Sequence, residues 1–123
     1  MSVQPILSGE DMIISRIVLD GGTVAGVAEA KATIAFTEEG NVQGYGGCNR
    51  FFGGYRLEGD RISFSAIAST RRYCEETMAV EDALFMALGK VTKLKVSADG
   101  LTLISEDGRS EIKALAERVE SDG

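Results

Sequence analysis

Five acidic-glycine signals, Asp20-Gly21-Gly22, Glu39-Gly40-Asn41, Glu58-Gly59-Asp60, Asp99-Gly100 and Asp107-Gly108, cut the chain into short pieces. Such pairs favour tight turns, because glycine accepts the left-handed backbone that hairpin corners need and acidic side chains bond the turn backbone. The pieces between them read as strands. Met12 to Leu19 and Ala32 to Thr37 are rich in β-branched residues, while Val42 to Tyr45 and Phe51 to Leu57 carry aromatics. Arg61 to Phe64, Thr92 to Ser97, Leu101 to Ser105 and Glu111 to Leu115 alternate apolar with polar residues, as a sheet with one buried face requires.

One segment breaks the period of two. From Glu75 to Leu88, Val80, Leu84 and Leu88 recur at helical spacing with Ala83 and Ala87 beside them, so a helix is expected there. Glu75 and Glu76 suit its positive end, and Gly89 its stop. About eight short strands and one helix predict a mainly β (α+β) fold: a curved antiparallel sheet forming a small β-barrel-like or crossed-sheet domain, with the helix packed against it. A parallel sheet would need a helix between most strands and is disfavoured. The 123 residues suit a single domain, 1–123, with residues 117–123 as an acidic frayed tail.

Charge and residue inventory exclude several functions. With 13 Lys and Arg against 19 Asp and Glu, a net charge of −6, no basic surplus exists to neutralise phosphates, so nucleic acid is not expected as a partner. No run approaches the roughly 20 apolar residues of a spanning helix, and residues 1–30 lack a signal-peptide pattern, so this segment is not expected to insert into a membrane. Met1-Ser2 is compatible with a native start or with a leader removed. The second favours the cell envelope, periplasm or secretion, and the first the cytoplasm. Histidine is absent, which rules out Cys–His dyads and Ser–His–acid triads and removes the commonest transition-metal ligand. Two cysteines do not make a closed zinc site, and no alternating Asp/Asn calcium loop occurs.

The stretch Gly44 to Cys74, GYGGCNRFFGGYRLEGDRISFSAIASTRRYC, resembles the META/HslJ family. The family pattern is a Gly-Cys-Asn with a following aromatic and Gly-x-Tyr, then an Ala-x-Thr segment ending in Cys. Here Gly47, Cys48, Asn49, Phe52, Gly54 and Tyr55 match the first part, and Ile67, Ala68, Thr70 and Cys74 the second. Met78, Glu81, Leu84 and Leu88 look like the family's helix, and Leu101-Thr102-Leu103 like its late strand. The resemblance is strongest over residues 32–114. Family members often open with a Trp-bearing strand, whereas this chain has no Trp. The resemblance implies a small barrel-like fold with one helix, often in bacterial envelope or secreted proteins associated with stress or antibiotic tolerance, and it does not imply an established enzymatic activity.

Individual residues read mainly as architecture. Arg50, Arg71 or Arg72 offers Cys48 only charge, without a base, so Cys48 is not expected to be a nucleophile. Cys48 and Cys74 form either a disulfide, which is favoured, or a buried thiol pair, according to compartment. The glycines around Cys48 superficially resemble a phosphate loop, but a strand-like segment follows where a helix should. They are expected to serve bends and close backbone approach. Asn49 reads as a turn-former. Ser69 to Tyr73 is a weak anion-site candidate, its arginines expected to pair with Glu75 or Glu76. The acid pairs Glu38-Glu39, Glu75-Glu76 and Glu81-Asp82 are expected on solvated faces. Tyr45, Phe51, Phe52, Tyr55 and Phe64 are core by default, or line a cavity for a small apolar ligand. No catalytic residue, metal or cofactor is expected, and the protein is expected to be a monomer. The expected function is a non-catalytic role in binding or envelope stress tolerance, with a protein-interaction module, acting through a loop or sheet edge and inhibitory in one form, as the alternative.

Overall fold

Each of the five acidic-glycine signals becomes a hairpin corner. The computed structural model describes residues 9–116, so the expected tail at 117–123 lies outside the described residues. In chain order the elements are β1 (Met12–Leu19), β2 (Gly22–Thr23), α1 (Val27–Ala30), β3 (Thr33–Phe36), β4 (Asn41–Tyr45), β5 (Arg50–Glu58), β6 (Arg61–Ser69), α2 (Met78–Leu88), β7 (Val91–Ser97), β8 (Gly100–Ser105) and β9 (Glu111–Ala116). Neighbours pair antiparallel in the order β2-β1-β3-β4-β5-β6-β7-β8-β9, and β1 also pairs β9 from Met12↔Ala116 to Val18↔Glu111. That last ladder closes the sheet into an eight-stranded meander barrel, to which the two-residue β2 is an appendage. Closure pairs β1 with β9, the two strands whose edges an open sheet would leave exposed.

The alternating strands deliver one face to the interior. Phe36, Phe51, Ile14, Ile17, Ile34, Leu101, Leu103 and Ile112 are all less than 2% exposed. Helix α2 adds Val80, Leu84, Ala87 and Leu88 to the same core. Removing Leu84 or Leu88 from water contributes about 2 kcal/mol each on an area basis.

Two local expectations change. The helix begins at Met78, because Glu75 to Thr77 form a turn in which Thr77 and Met78 donate to the Cys74 carbonyl at 3.2 and 2.9 Å. Glu75 and Glu76 therefore precede the helix, and the acidic residue of its first turn is Glu81. A second, single-turn helix, α1, lies between β2 and β3, with Val27 and Ala30 buried.

Strands β6 and β7 are joined by α2, where every other neighbouring pair in the β3–β9 meander is joined by a tight turn or loop, and they meet only at Arg61↔Lys93. Leu94 donates to the Asp60 carbonyl at 2.7 Å beside that point. Beyond it, β6 runs on to Ser69 paired with β5 on its other side. The barrel is thus splayed at one seam, and α2 stands beside the gap.

Candidate functional site

Glu81 projects from α2 into the loop between β4 and β5. Its Oε1 accepts the backbone N–H groups of Cys48 (3.0 Å) and Asn49 (2.6 Å), and its Oε2 accepts the Asn49 side-chain amide (2.7 Å). Glu81 is 1% and Asn49 2% exposed. A buried carboxyl group that meets no cation among the described residues needs several hydrogen-bond donors. The glycine-rich loop is therefore an anion cradle after all, filled by the chain's own side chain. Gly46 allows this, since a Cβ there would stand 2.9 Å from Glu81 Cγ and 3.0 Å from Oε1.

The rest of the Asn49 carboxamide ties down the segment between β6 and α2. Thr70 Oγ1 (2.9 Å) and the Arg72 N–H (2.7 Å) donate to Asn49 Oδ1, and Asn49 Nδ2 donates to the Arg72 carbonyl at 2.9 Å. The Arg50 N–H donates to Thr70 Oγ1 at 3.2 Å, and Thr77 Oγ1 to the Gly47 carbonyl at 2.8 Å. A Cys48–Cys74 disulfide, with Cα atoms 5.8 Å apart, joins the same two segments covalently. Asn49, read from the sequence as a turn-former, is thus a junction between distant segments.

Gly47, Cys48, Asn49, Thr70, Cys74 and Glu81 meet in this one network. Gly54, Tyr55 and Ala68 stand apart from it. Gly54 lies opposite Asn41 on β4 and Ser65 on β6. The Tyr55 hydroxyl donates to the Thr37 carbonyl at 2.6 Å, and its ring packs edge-on against Phe36 at 5.1 Å. Burial first, then the nearby Glu38 and Glu39 charges, push its phenol above the ordinary value. Ala68 pairs with Phe52 across the sheet.

The expectation that Glu81 and Asp82 share a solvated face holds for Asp82 alone. The signal for Glu81 was available: it sits three residues before Leu84 and seven before Leu88, on the helix's apolar stripe. The arginine pairing also differs. Among the described residues the ion pairs are Arg16–Glu111, Arg61–Glu106 and Lys90–Asp20, so the exposed Arg71 and Arg72 are not joined to Glu75 or Glu76.

Beside the network, the splayed seam opens a cleft of about 520 Å³. Ile62, Phe64 and Ile67 from β6 form one wall, Phe85 and Leu88 from α2 the other, with Val91 of β7 at the end. Of the aromatics expected either in the core or around a cavity, Phe64 lines this cleft. Phe51 is buried edge-on against Phe85 at 5.6 Å, and Phe52 is 53% exposed. A second, more polar hollow shares Ile67, Ala68, Ser69 and Phe85 with the cleft and continues it to Arg71, Arg72 and Asp82. Among the described residues no group of three potential metal ligands occurs, and no helix is long and apolar enough to cross a membrane.

Comparison with known proteins gives a family and a fold. Residues 12–117 match the profile of the META domain. That match includes β1, which precedes the residues 32–114 over which the resemblance is strongest. No curated protein matches significantly. Among solved structures, a protein from Burkholderia xenovorans determined by NMR is similar with a TM-score of 0.71 at 23% identity, covering 95% of this chain and 88% of that one. A DUF4847 family protein from Bacteroides vulgatus ATCC 8482 is similar with a TM-score of 0.70 at 12% identity, covering 96% and 99%. At these identities the likeness concerns the fold.

Proposed function

The chain belongs to the META domain family, and from that premise we propose that it is a non-catalytic binding domain whose ligand enters the cleft between β6 and α2. The observation that carries this reading is the cleft itself: about 520 Å³ walled by Ile62, Phe64, Ile67, Phe85, Leu88 and Val91 at a seam of the barrel. Concavities of this size that combine apolar walls with a few polar groups, here Ser63, Ser69 and Thr92, are the usual form of a binding site. The non-catalytic part draws support from the fate of the reactive groups. The Cys48 sulfur is bonded to Cys74, and the Glu81 carboxylate accepts three internal donors. A disulfide also suits an oxidising compartment, and so favours the envelope stress-tolerance role that the family resemblance implies. Deleting the gene should then sensitise its host to envelope-directed antibiotics.

The test is titration of the isotopically labelled protein with laurate and with 1-anilinonaphthalene-8-sulfonate. Backbone shifts clustered at Phe64, Ile67, Phe85 and Leu88, and abolished in Ile67→Lys, are expected. Saturating probe with no shift at those residues would remove the reading.

A further inference from the structure

Strand β6 keeps an open hydrogen-bonding edge along the cleft. On the β7 side its ladder consists of Arg61↔Lys93 alone, while on the β5 side pairing continues to Phe51↔Ser69. Backbone groups along an antiparallel strand point alternately to its two neighbours. The β5–β6 register shifts between Phe52 and Gly54, but on either side of that irregularity alternate residues of β6 turn N–H and C=O toward the cleft, where among the described residues no strand receives them. Seven residues from Ser63 to Ser69 offer a template about 20 Å long. A lipid or other small apolar molecule would cover the Ile62, Phe64, Ile67 and Phe85 surface but leave that row of donors and acceptors without partners. An extended polypeptide would satisfy both.

From this we infer that the cleft takes an extended peptide segment of another protein, which adds to β6 as a strand between β6 and α2. The same geometry specifies its chemistry. Alternate side chains of an added strand face the same way, so apolar residues at every second position would meet the Phe64, Ile67 and Phe85 wall. The cleft continues past Ser69 to Arg71 and Arg72, whose guanidinium groups carry no ion pair among the described residues, with the exposed Asp82 as the one acid at that mouth besides the fully hydrogen-bonded Glu81. The partner segment is therefore acidic at the end nearest Ser69. This inference rests on the cleft being a binding site, and it names the ligand class.

The experiment pans a phage-displayed random heptapeptide library against the oxidised full-length protein, then adds the best synthetic heptapeptide to the labelled protein. Enriched sequences alternating apolar residues and carrying Asp or Glu at one end are expected, with slowed amide hydrogen exchange along β6 at Phe64. Methylating alternate peptide nitrogens should abolish binding, and Arg71→Glu/Arg72→Glu should weaken it about fivefold, an exposed-charge effect that fades in high salt. Binding of laurate with no enriched heptapeptide would overturn the peptide inference and leave the apolar cleft standing. Binding of neither would remove both. Slow exchange of the cleft-facing β6 amides already in the peptide-free protein would also overturn the inference, since the edge would then be covered.

Discussion

The Asn49 side-chain amide donates to Glu81 at 2.7 Å, and together these two buried residues fasten three separate parts of the chain: the β4–β5 loop, the segment after β6, and helix α2. Glu81 receives the loop's backbone N–H groups, while Asn49 receives Thr70 and Arg72. Neither residue has slack, so each is sensitive to a change of a single atom.

Truncating the acid should cost most. Glu81→Ala leaves the backbone N–H groups of Cys48 and Asn49 and one N–H of the Asn49 side-chain amide unsatisfied in the interior. At about 1–3 kcal/mol for each stranded group, a loss of about 4 kcal/mol is expected in urea unfolding. Glu81→Gln keeps one acceptor oxygen and should cost roughly half as much. Equal stability of wild type and Glu81→Ala would refute the cradle.

Asn49→Asp should introduce a pH dependence. It replaces a donor with a second carboxylate facing Glu81 across a distance now bridged by a hydrogen bond of 2.7 Å. Two buried acids that close hold one proton between them, raising the folded-state pKa of the pair above its unfolded value. A raised folded pKa contributes stability present below the unfolded value and lost as pH rises through the folded one. The variant should therefore be weakest near pH 7 and recover toward pH 5, relative to wild type. A flat stability difference over that interval would contradict the shared-proton arrangement.

Tyr55 supplies an alkaline counterpart. Its phenol must stay protonated to donate to Thr37, and burial raises its pKa above 10.0. With the folded value raised, its contribution is intact below about pH 10 and lost as pH climbs through the folded pKa. Tyr55→Phe should cost about 1 kcal/mol near neutrality and show a shallower decline above pH 10, as followed by thermal melts.

Reduction should loosen the whole fold and leave its topology unchanged. The Cys48–Cys74 bridge spans a sequence separation of 26, for which chain entropy gives about 3–4 kcal/mol. Cys48→Ser/Cys74→Ser should fall by about that amount in urea unfolding, and added reductant should leave the double variant unchanged. Mass spectrometry after alkylation without reductant should find no labelled thiol in the wild-type protein.

Gly46→Ala separates steric need from turn formation. Its Cβ would lie 2.9 Å from Glu81 Cγ, so the acid must shift out of its cradle, and about 2 kcal/mol or more of stability should go with it. At Gly59, where a Cβ meets nothing within 4 Å and only the positive φ of 64° resists, Ala should cost about 1 kcal/mol. Equal losses at the two sites would refute the close approach of Gly46 to Glu81.

What the sequence determined by itself is the local grammar. Acid-glycine pairs at Asp20-Gly21 and Asp107-Gly108 specify corners because only a few residues accept left-handed backbone, and alternation in Leu101 to Ser105 specifies a strand with one buried face. Residues three and four apart on α2 share a face wherever the helix packs. Those signals need no knowledge of distant partners. The tertiary structure alone decided the rest: that β1 closes on β9, that β6 and β7 part to leave a cleft, and that Glu81 fills the glycine loop where a ligand was conceivable. Each of these depends on residues such as Asn49 and Glu81, 32 positions apart, whose approach is set by how the whole sheet curves. The glycine loop illustrates the division: its residue types announce that something must come close, and only the closed barrel brings the helix near enough to say what.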